Sequence, residues 1–178
     1  MKVEGPPLAE ALAHRKEAVV NEWLARTLRT YPSHTARFLH QEADPFRNPV
    51  GAALKQGLPA LFDELVGVMD AARIRTVLDS LVRIRAVQDF SPSQAVGFLF
   101  LLKDVLREQG ALPAEFERRI DQMALTAFDL YMECREQIAE IKVSEARRAV
   151  GAANRAATGR PPNRAATVRE RLTPGDRP

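Results

Sequence analysis

The sequence predicts an all-α protein: an antiparallel helical bundle of about five helices, with a long C-terminal helix and a disordered tail. Three observations carry this. Apolar residues recur at spacings of three and four through most of residues 8–149, the period of helices with one buried face. Breaks in that pattern coincide with Pro, Gly, Ser and Asn where helix caps belong. After Gly151 the composition turns to Pro, Gly, Ala and Arg, with Val168 and Leu172 the only large aliphatics, too few to bury an ordered core.

The first helix is predicted from Leu8 to Leu28, with Leu8, Leu12, Val19 and Trp23 on its stripe and Tyr31-Pro32 ending it. A short helix follows from Ser33, as cap, to Gln41, with Phe38 and Leu39 as its apolar part. The run Asp44-Pro45-Phe46-Arg47-Asn48-Pro49 reads as a loop in which Asn48 caps and Pro49 opens the next helix. That helix carries Val50, Leu54, Leu58, Leu61, Leu65 and Val68. Pro59 inside it removes a backbone hydrogen bond, a cost of about 3 kcal/mol in a plain helix, so a kink or two abutting helices is expected. After a short connection over residues 67–72, Ile74, Val77, Leu78, Leu81, Ile84 and Val87 mark another helix ending near Asp89.

The most apolar segment comes next. Ser91 and Gln94 form an S-x-x-Q capping box, and Pro92 occupies the first helical position. Phe90 precedes the cap, placed to fold back on Ala95 or Val96. The helix is predicted to run unbroken to Gln109, with Gly110 as its C′ residue. Pro113 opens the longest helix. Its stripe of Phe116, Ile120, Met123, Ala127, Leu130, Cys134, Ile138 and Ile141 extends to about Ala149, on the order of 55 Å. The other helices are about half that length, so its distal part from about Gln137 is expected to protrude, pair with another chain, or fray.

The 178 residues, 46% hydrophobic and 28% charged, suit one domain with a tail. We place the domain at residues 6–150 and a basic disordered tail at 151–178. The net charge of +3 is unevenly spread. The tail holds six Arg against Glu170 and Asp176, which leaves 20 basic and 21 acidic residues before it. The body therefore lacks a nucleic-acid footprint, and no specific nucleic-acid partner is expected. The longest apolar run, residues 95–102, is far short of the roughly 20 residues that span a membrane. No signal peptide is evident at the N-terminus. A cytoplasmic protein without membrane contact is expected.

Candidate chemistry is sparse. No P-loop, G-x-G-x-x-G, G-x-S-x-G or H-E-x-x-H occurs, so no enzymatic activity, metal or cofactor is expected. His14 follows Glu10 by four, but no second His lies on another predicted bundle helix, so no di-iron site is expected. His34 and His40 lie near Glu42 and Asp44 and read as solvated. Met69, Met123, Phe98 and Phe100 read as core. Cys134 lies on the apolar stripe of the last helix, where a small buried residue is the plain reading. With Ile138 and Ile141 it forms the candidate dimer seam. The charges at the apolar centre stand out. Arg83, Arg85 and Asp89 gather at the end of one helix, and Arg47 lies in the Asp44–Asn48 loop. Such arginines either pair with carboxylates to lock loops or line a small anionic-ligand or partner pocket.

Residues 23–32, 44–51 and 82–95 resemble the RsbRD N-terminal domain family, the sensory N-terminal domains of RsbT co-antagonists. The stretch Val82-Arg83-Ile84-Arg85-Ala86-Val87-Gln88-Asp89-Phe90-Ser91-Pro92 is the most specific of the three, and the likeness spans about residues 8–145. The resemblance implies an all-helical, non-enzymatic input domain. In stressosome proteins such a domain is usually dimeric, precedes a STAS output domain and passes a signal along its last helix. No βαβ pattern of a STAS domain follows here, so the expectation is a sensor or adaptor acting through a protein partner, itself a homodimer. The alternative is a small-molecule or haem-binding sensor with a pocket between the second, third and fourth long helices.

Overall fold

The structure, a computed structural model, describes residues 12–158, and among these it is all-α. The helices are α1 (Lys16–Leu28), α2 (Ser33–Gln41), α3 (Pro49–Val66), α4 (Ala71–Val87), α5 (Pro92–Val96), α6 (Phe98–Glu108) and α7 (Ala114–Thr158). They fall into two compact units that divide between Glu136 and Gln137. The first unit holds the core.

The predicted first helix is interrupted. Leu12 and Ala13 are helical, residues 14–15 form a turn in which the Arg15 N–H donates to the Leu12 carbonyl at 3.0 Å, and α1 starts at Lys16. The turn leaves Leu12 only 1% exposed while His14 and Arg15 stay in solvent. Residues 8–11 of the prediction lie outside the described residues. In α2, Pro32 rather than Ser33 occupies the N-cap position, and no side chain caps it. Leu39 is buried there, whereas Phe38 is 46% exposed.

Asn48 caps α3 as predicted, and it does more. Its Oδ1 accepts from Gly51 N–H at 2.8 Å, while its Nδ2 donates to the carbonyls of Leu39 and Glu42, both at 2.9 Å. One buried amide thus ties the end of α2 to the start of α3. Gly51 is required by this arrangement: a Cβ there would lie 2.2 Å from Asn48 Nδ2 and 2.6 Å from the Leu39 carbonyl oxygen. Helix α3 runs unbroken through Pro59, with Leu54, Leu58, Leu61, Phe62 and Leu65 buried along it. Each such side chain contributes about 1.5–3 kcal/mol on burial, which offsets the proline. Val68 leaves the predicted stripe and is 89% exposed in the following turn.

That turn reverses the chain. Asp70 Oδ1 accepts from Ala72 and Arg73 N–H groups at 2.9 and 3.1 Å, an N-cap for α4. The buried Glu64 holds the other side, accepting from Asp70 N–H at 2.8 Å and pairing with Arg73 at 3.1 Å. Contacts from Glu64 to Arg73 and from Gly57 to Leu81 step away from the turn in opposite senses, so α3 and α4 are antiparallel. Gly57 permits the approach, since a Cβ there would meet Leu81 at 3.0–3.2 Å. Helix α1 packs on α3 and α6, with Lys16 pairing to Asp63 at 2.6 Å.

Helix α4 ends at Val87, which is 65% exposed rather than on the core face. Asp89 takes the left-handed conformation at φ 58, and Phe90 N–H donates to the Arg85 carbonyl at 3.2 Å. This is the six-to-one bond of a Schellman turn. The capping box at Ser91 is present with both of its bonds. The long helix predicted after it is divided at Gly97. The peptide there tightens, Phe100 N–H bonding the Gly97 carbonyl at 3.1 Å, and the Phe98 carbonyl accepts from Trp23 Nε1 at 2.6 Å. Gly110, at φ +64, ends α6 with a full Schellman pair: Ala111 N–H to Leu106 O and Gly110 N–H to Arg107 O, both at 2.9 Å.

In the first unit α7 buries Phe116, Ile120, Met123, Ala127, Leu130, Tyr131 and Cys134. It is antiparallel to α6, since Lys103 meets Asp121 at 2.7 Å and Arg107 meets Glu117 at 3.6 Å. Arg119 donates to the Leu65 and Gly67 carbonyls, both at 2.8 Å, closing the end of α3. In the second unit the helix continues to Thr158, so residues 151–158 of the expected tail are helical. The rest of that tail, residues 159–178, lies outside the described residues.

Candidate functional site

The charged cluster expected from sequence is not one site. Arg47 pairs with Glu42 at 3.4 Å in its own exposed loop. Arg83 pairs with Asp79 one turn back at 3.1 Å on the surface. Asp89 is exposed and meets Arg135 of α7 at 3.3 Å. Only Arg85 faces inward, and it is 1% exposed.

Arg85 is held without a carboxylate among the described residues. Its Nη1 donates to the Gln94 carbonyl at 3.0 Å and its Nη2 to Thr30 Oγ1 at 3.4 Å. The guanidinium carbon lies 5.2 Å from the Tyr31 ring centre and 5.1 Å from those of Phe90 and Phe98. The cation therefore rests among three aromatic faces, whose negative quadrupoles attract it. Burial pushes its pKa down, partly countered by Tyr31, and burial pushes the Tyr31 phenol up. Arg85 also occupies the last turn of α4, where the helix dipole favours a positive charge. In this way one side chain joins the ends of α1 and α4 to the start of α5 and α6. Phe90, expected to staple onto α5, packs instead against Tyr31 at 5.2 Å between ring centres.

The surface offers a second feature. Between α5, α6 and α7 lies an apolar groove of about 650 Å³, lined by Val96, Phe100, Ala124, Leu125 and Phe128 with Asp121 at its edge. On α7 Leu125, Phe128 and Met132 follow at helical spacing and are 68%, 44% and 40% exposed. Phe100, expected in the core with Phe98 and Met123, is 44% exposed beside them, whereas those two are fully buried. Met69 is half-buried at φ 60 in the α3–α4 turn.

The predicted dimer seam separates. Cys134 is 3% exposed within its own bundle, so a second chain cannot reach it without opening the core. Ile138 is half-exposed and Ile141 is 58% exposed, both in the second unit. There Ala139, Val143, Ala146 and Val150 make another stripe at spacings of three and four, with Val143 and Val150 49% and 61% exposed. Periodicity alone could not tell the core face of α7 from its outer one. The signal was present in Leu125, Phe128 and Met132, which step by three and four on a different face from Phe116 and Ile120.

His14, His34 and His40 are all exposed, and none lines the groove. The described residues include no group of three His, Cys, Asp or Glu side chains able to hold a metal ion. No described helix is long and apolar enough to cross a membrane. On the helices between which a ligand pocket was expected, Leu58, Leu78 and Leu99 are each fully buried.

A helical fold whose distinctive elements are a buried arginine and an apolar face narrows little by itself; comparison with known sequences decides the family. The profile described as the RsbT co-antagonist protein rsbRD N-terminal domain matches residues 17–146. The chain belongs to the RsbRD N-terminal domain family. The match takes in α1 from Glu17, all of α2 to α6 and α7 as far as Ala146, including Asn48, Arg85 and the capping box. An uncharacterized protein of Archaeoglobus fulgidus is 27% identical to this RsbRD N-terminal domain protein over 139 residues, covering 73% of this chain and 83% of the relative. No solved structure gives a significant match.

Proposed function

We propose that this RsbRD N-terminal domain is a signal-receiving regulatory module without catalytic chemistry, working in the cytoplasm as a homodimer that contacts a protein partner of a signalling pathway. The observation that carries the reading is the exposed apolar face of α7. Leu125, Phe128 and Met132, with Phe100 beside them, form a contiguous patch of large side chains, the kind of surface that marks an interaction site on a soluble protein. Polar groups rim it: Asp121 and Lys103 on one side, Asp129 and Glu133 on the other. An apolar centre with a polar rim is the usual anatomy of an interface.

The dimer contact is placed on this outer face, with Ile138 and Ile141 of the second unit as a separate contribution. Family membership supports partners in a signalling pathway. A second reading concerns the groove itself. Its volume of about 650 Å³ and apolar lining fall within the range of small-molecule sites. A bound apolar effector there would compete with the dimer contact.

Sedimentation velocity on the full chain separates these readings. The dimer reading expects a dimer that Phe128→Glu converts to a monomer with unchanged helical circular dichroism. A dimer untouched by Phe128→Glu but lost in Ile141→Asp moves the seam to the second unit. The effector reading expects a copurifying small molecule in native mass spectrometry, displaced by the same Phe128 substitution.

A further inference from the structure

The cations of this protein fall into two groups. Those of the first unit mostly meet carboxylates. Lys16 pairs with Asp63 at 2.6 Å, Arg75 with Glu133 at 2.7 Å and Lys103 with Asp121 at 2.7 Å, and Arg26 and Arg119 are paired likewise. In the second unit Lys142, Arg147 and Arg148 are exposed, and none of them forms an ion pair among the described residues. The sequence continues the trend. Residues 142–178 hold nine Lys and Arg against three Asp and Glu, a net of +6, which leaves residues 1–141 at −3. Eight of those nine are Arg. Positive charge is thus concentrated at one end of the chain, and in the described part of that end it is uncompensated.

We propose that the basic segment 142–178 binds the phosphate backbone of duplex DNA irrespective of its sequence. Duplex DNA carries one negative charge per about 1.7 Å of its axis, and each phosphate neutralised by a side chain releases condensed counterions. Arginine suits that partner, because its planar fork grips a phosphate through two parallel bonds where lysine offers a point charge. The composition selects among polyanions. Residues 142–178 contain no Phe, Tyr or Trp, so the stacking platforms that hold single strands are missing. Their large aliphatics are Val143, Val150, Val168 and Leu172, too few to seat the segment in a lipid surface. Contacts to phosphate position a protein on DNA but carry no sequence information, so binding without preference is expected. This agrees with the body of the protein, whose net negative charge gives it no nucleic-acid footprint of its own. The inference does not rest on the dimer reading.

The test is fluorescence anisotropy of a labelled duplex of about 20 base pairs titrated with the full chain, from about 50 to about 200 mM sodium chloride. With about six phosphates neutralised, log K falls against log salt with a slope of about −5, so the affinity drops about a thousandfold across that range. Two duplexes of unrelated sequence are expected to bind alike. Replacing Arg160, Arg164, Arg169 and Arg171 by Gln is expected to make the slope shallower by about 3.6, and Arg147→Gln with Arg148→Gln by about 2. Helical circular dichroism should be unchanged in both, since no residue of the buried core is touched. Arg37→Gln is the matched control. Arg37 is an exposed cation of α2 without an ion pair among the described residues, and its loss is expected to leave the slope as it is. No binding at the lowest salt overturns the inference, as does a slope that the segment's variants share with the parent protein. Phosphatidylserine vesicles or poly-glutamate bound as tightly as the duplex would also overturn it, by assigning the charge to a membrane or to an acidic protein.

Discussion

Replacing Asn48 by Asp tests how the bundle's entrance is built. At an ordinary N-cap the two residues are interchangeable, because each supplies a side-chain oxygen to the first turn. Here the cap is also a donor. Asn48 is 1% exposed, its Oδ1 accepts from Gly51 at 2.8 Å, and its Nδ2 donates to two carbonyls at 2.9 Å. Asn48→Ala removes a cap worth about 1 kcal/mol and strips one bond from each carbonyl at about 1 kcal/mol apiece, about 3 kcal/mol in all. For a domain of this size that lowers the melting midpoint by about 6–12 °C. Asn48→Asp keeps the cap but turns a carboxylate oxygen onto the Leu39 and Glu42 carbonyls in a buried position. Its cost is expected to equal or exceed that of alanine. Urea denaturation of both variants measures the difference. An Asp variant within about 0.5 kcal/mol of the parent would refute the donor role, since it would show the amide nitrogen contributing no more than an ordinary cap.

Trp23→Phe keeps an aromatic ring against Phe98 and removes the donor to its carbonyl, which lies 2.6 Å from Nε1; a loss of about 1–3 kcal/mol is expected by denaturant titration. Tyr131→Phe removes the bond to the Phe90 carbonyl, also 2.6 Å, and is expected to cost about 1 kcal/mol and to loosen the Ser91 turn in hydrogen exchange. Glu22 and Glu108 have lowered pKa values, chiefly because each accepts a hydrogen bond from Arg26. Their contribution is full above the unfolded carboxylate value, about 4.3, and fades as the pH falls through the depressed folded values. Arg26→Met should therefore lower the neutral plateau slightly, as expected for exposed pairs, and converge on the parent protein's stability as the pH falls through the depressed folded values, which flattens the acid limb.

The helices were legible because their signals are local. Asn48-Pro49, Ser91-Pro92 and Gly110 each mark a boundary by the backbone conformation that they accept, and the structure places caps at all three. The division at Gly97 was hidden because an apolar run reads alike whether its helix is whole or interrupted; the Phe98 carbonyl next to it accepts from Trp23, 75 residues away in sequence. The turn at Arg15 was hidden for a similar reason, since Leu12 keeps a helical spacing to Val19 either way. For the site, sequence pointed to Arg85 but grouped it wrongly. Arg83 and Arg85 differ by two positions, which on a helix turns them some 200° apart, one to solvent and one to the core. The outer face of α7 was overlooked because its inner stripe is the stronger pattern.

The central claim, that the outer face of α7 makes this domain a dimer, is tested most directly by sedimentation velocity across a concentration series of the full chain and of Phe128→Glu. The account predicts a dimer for the parent protein and a folded monomer for the variant. A parent protein that stays monomeric at every concentration, or a variant that dimerises as well as its parent, would contradict it.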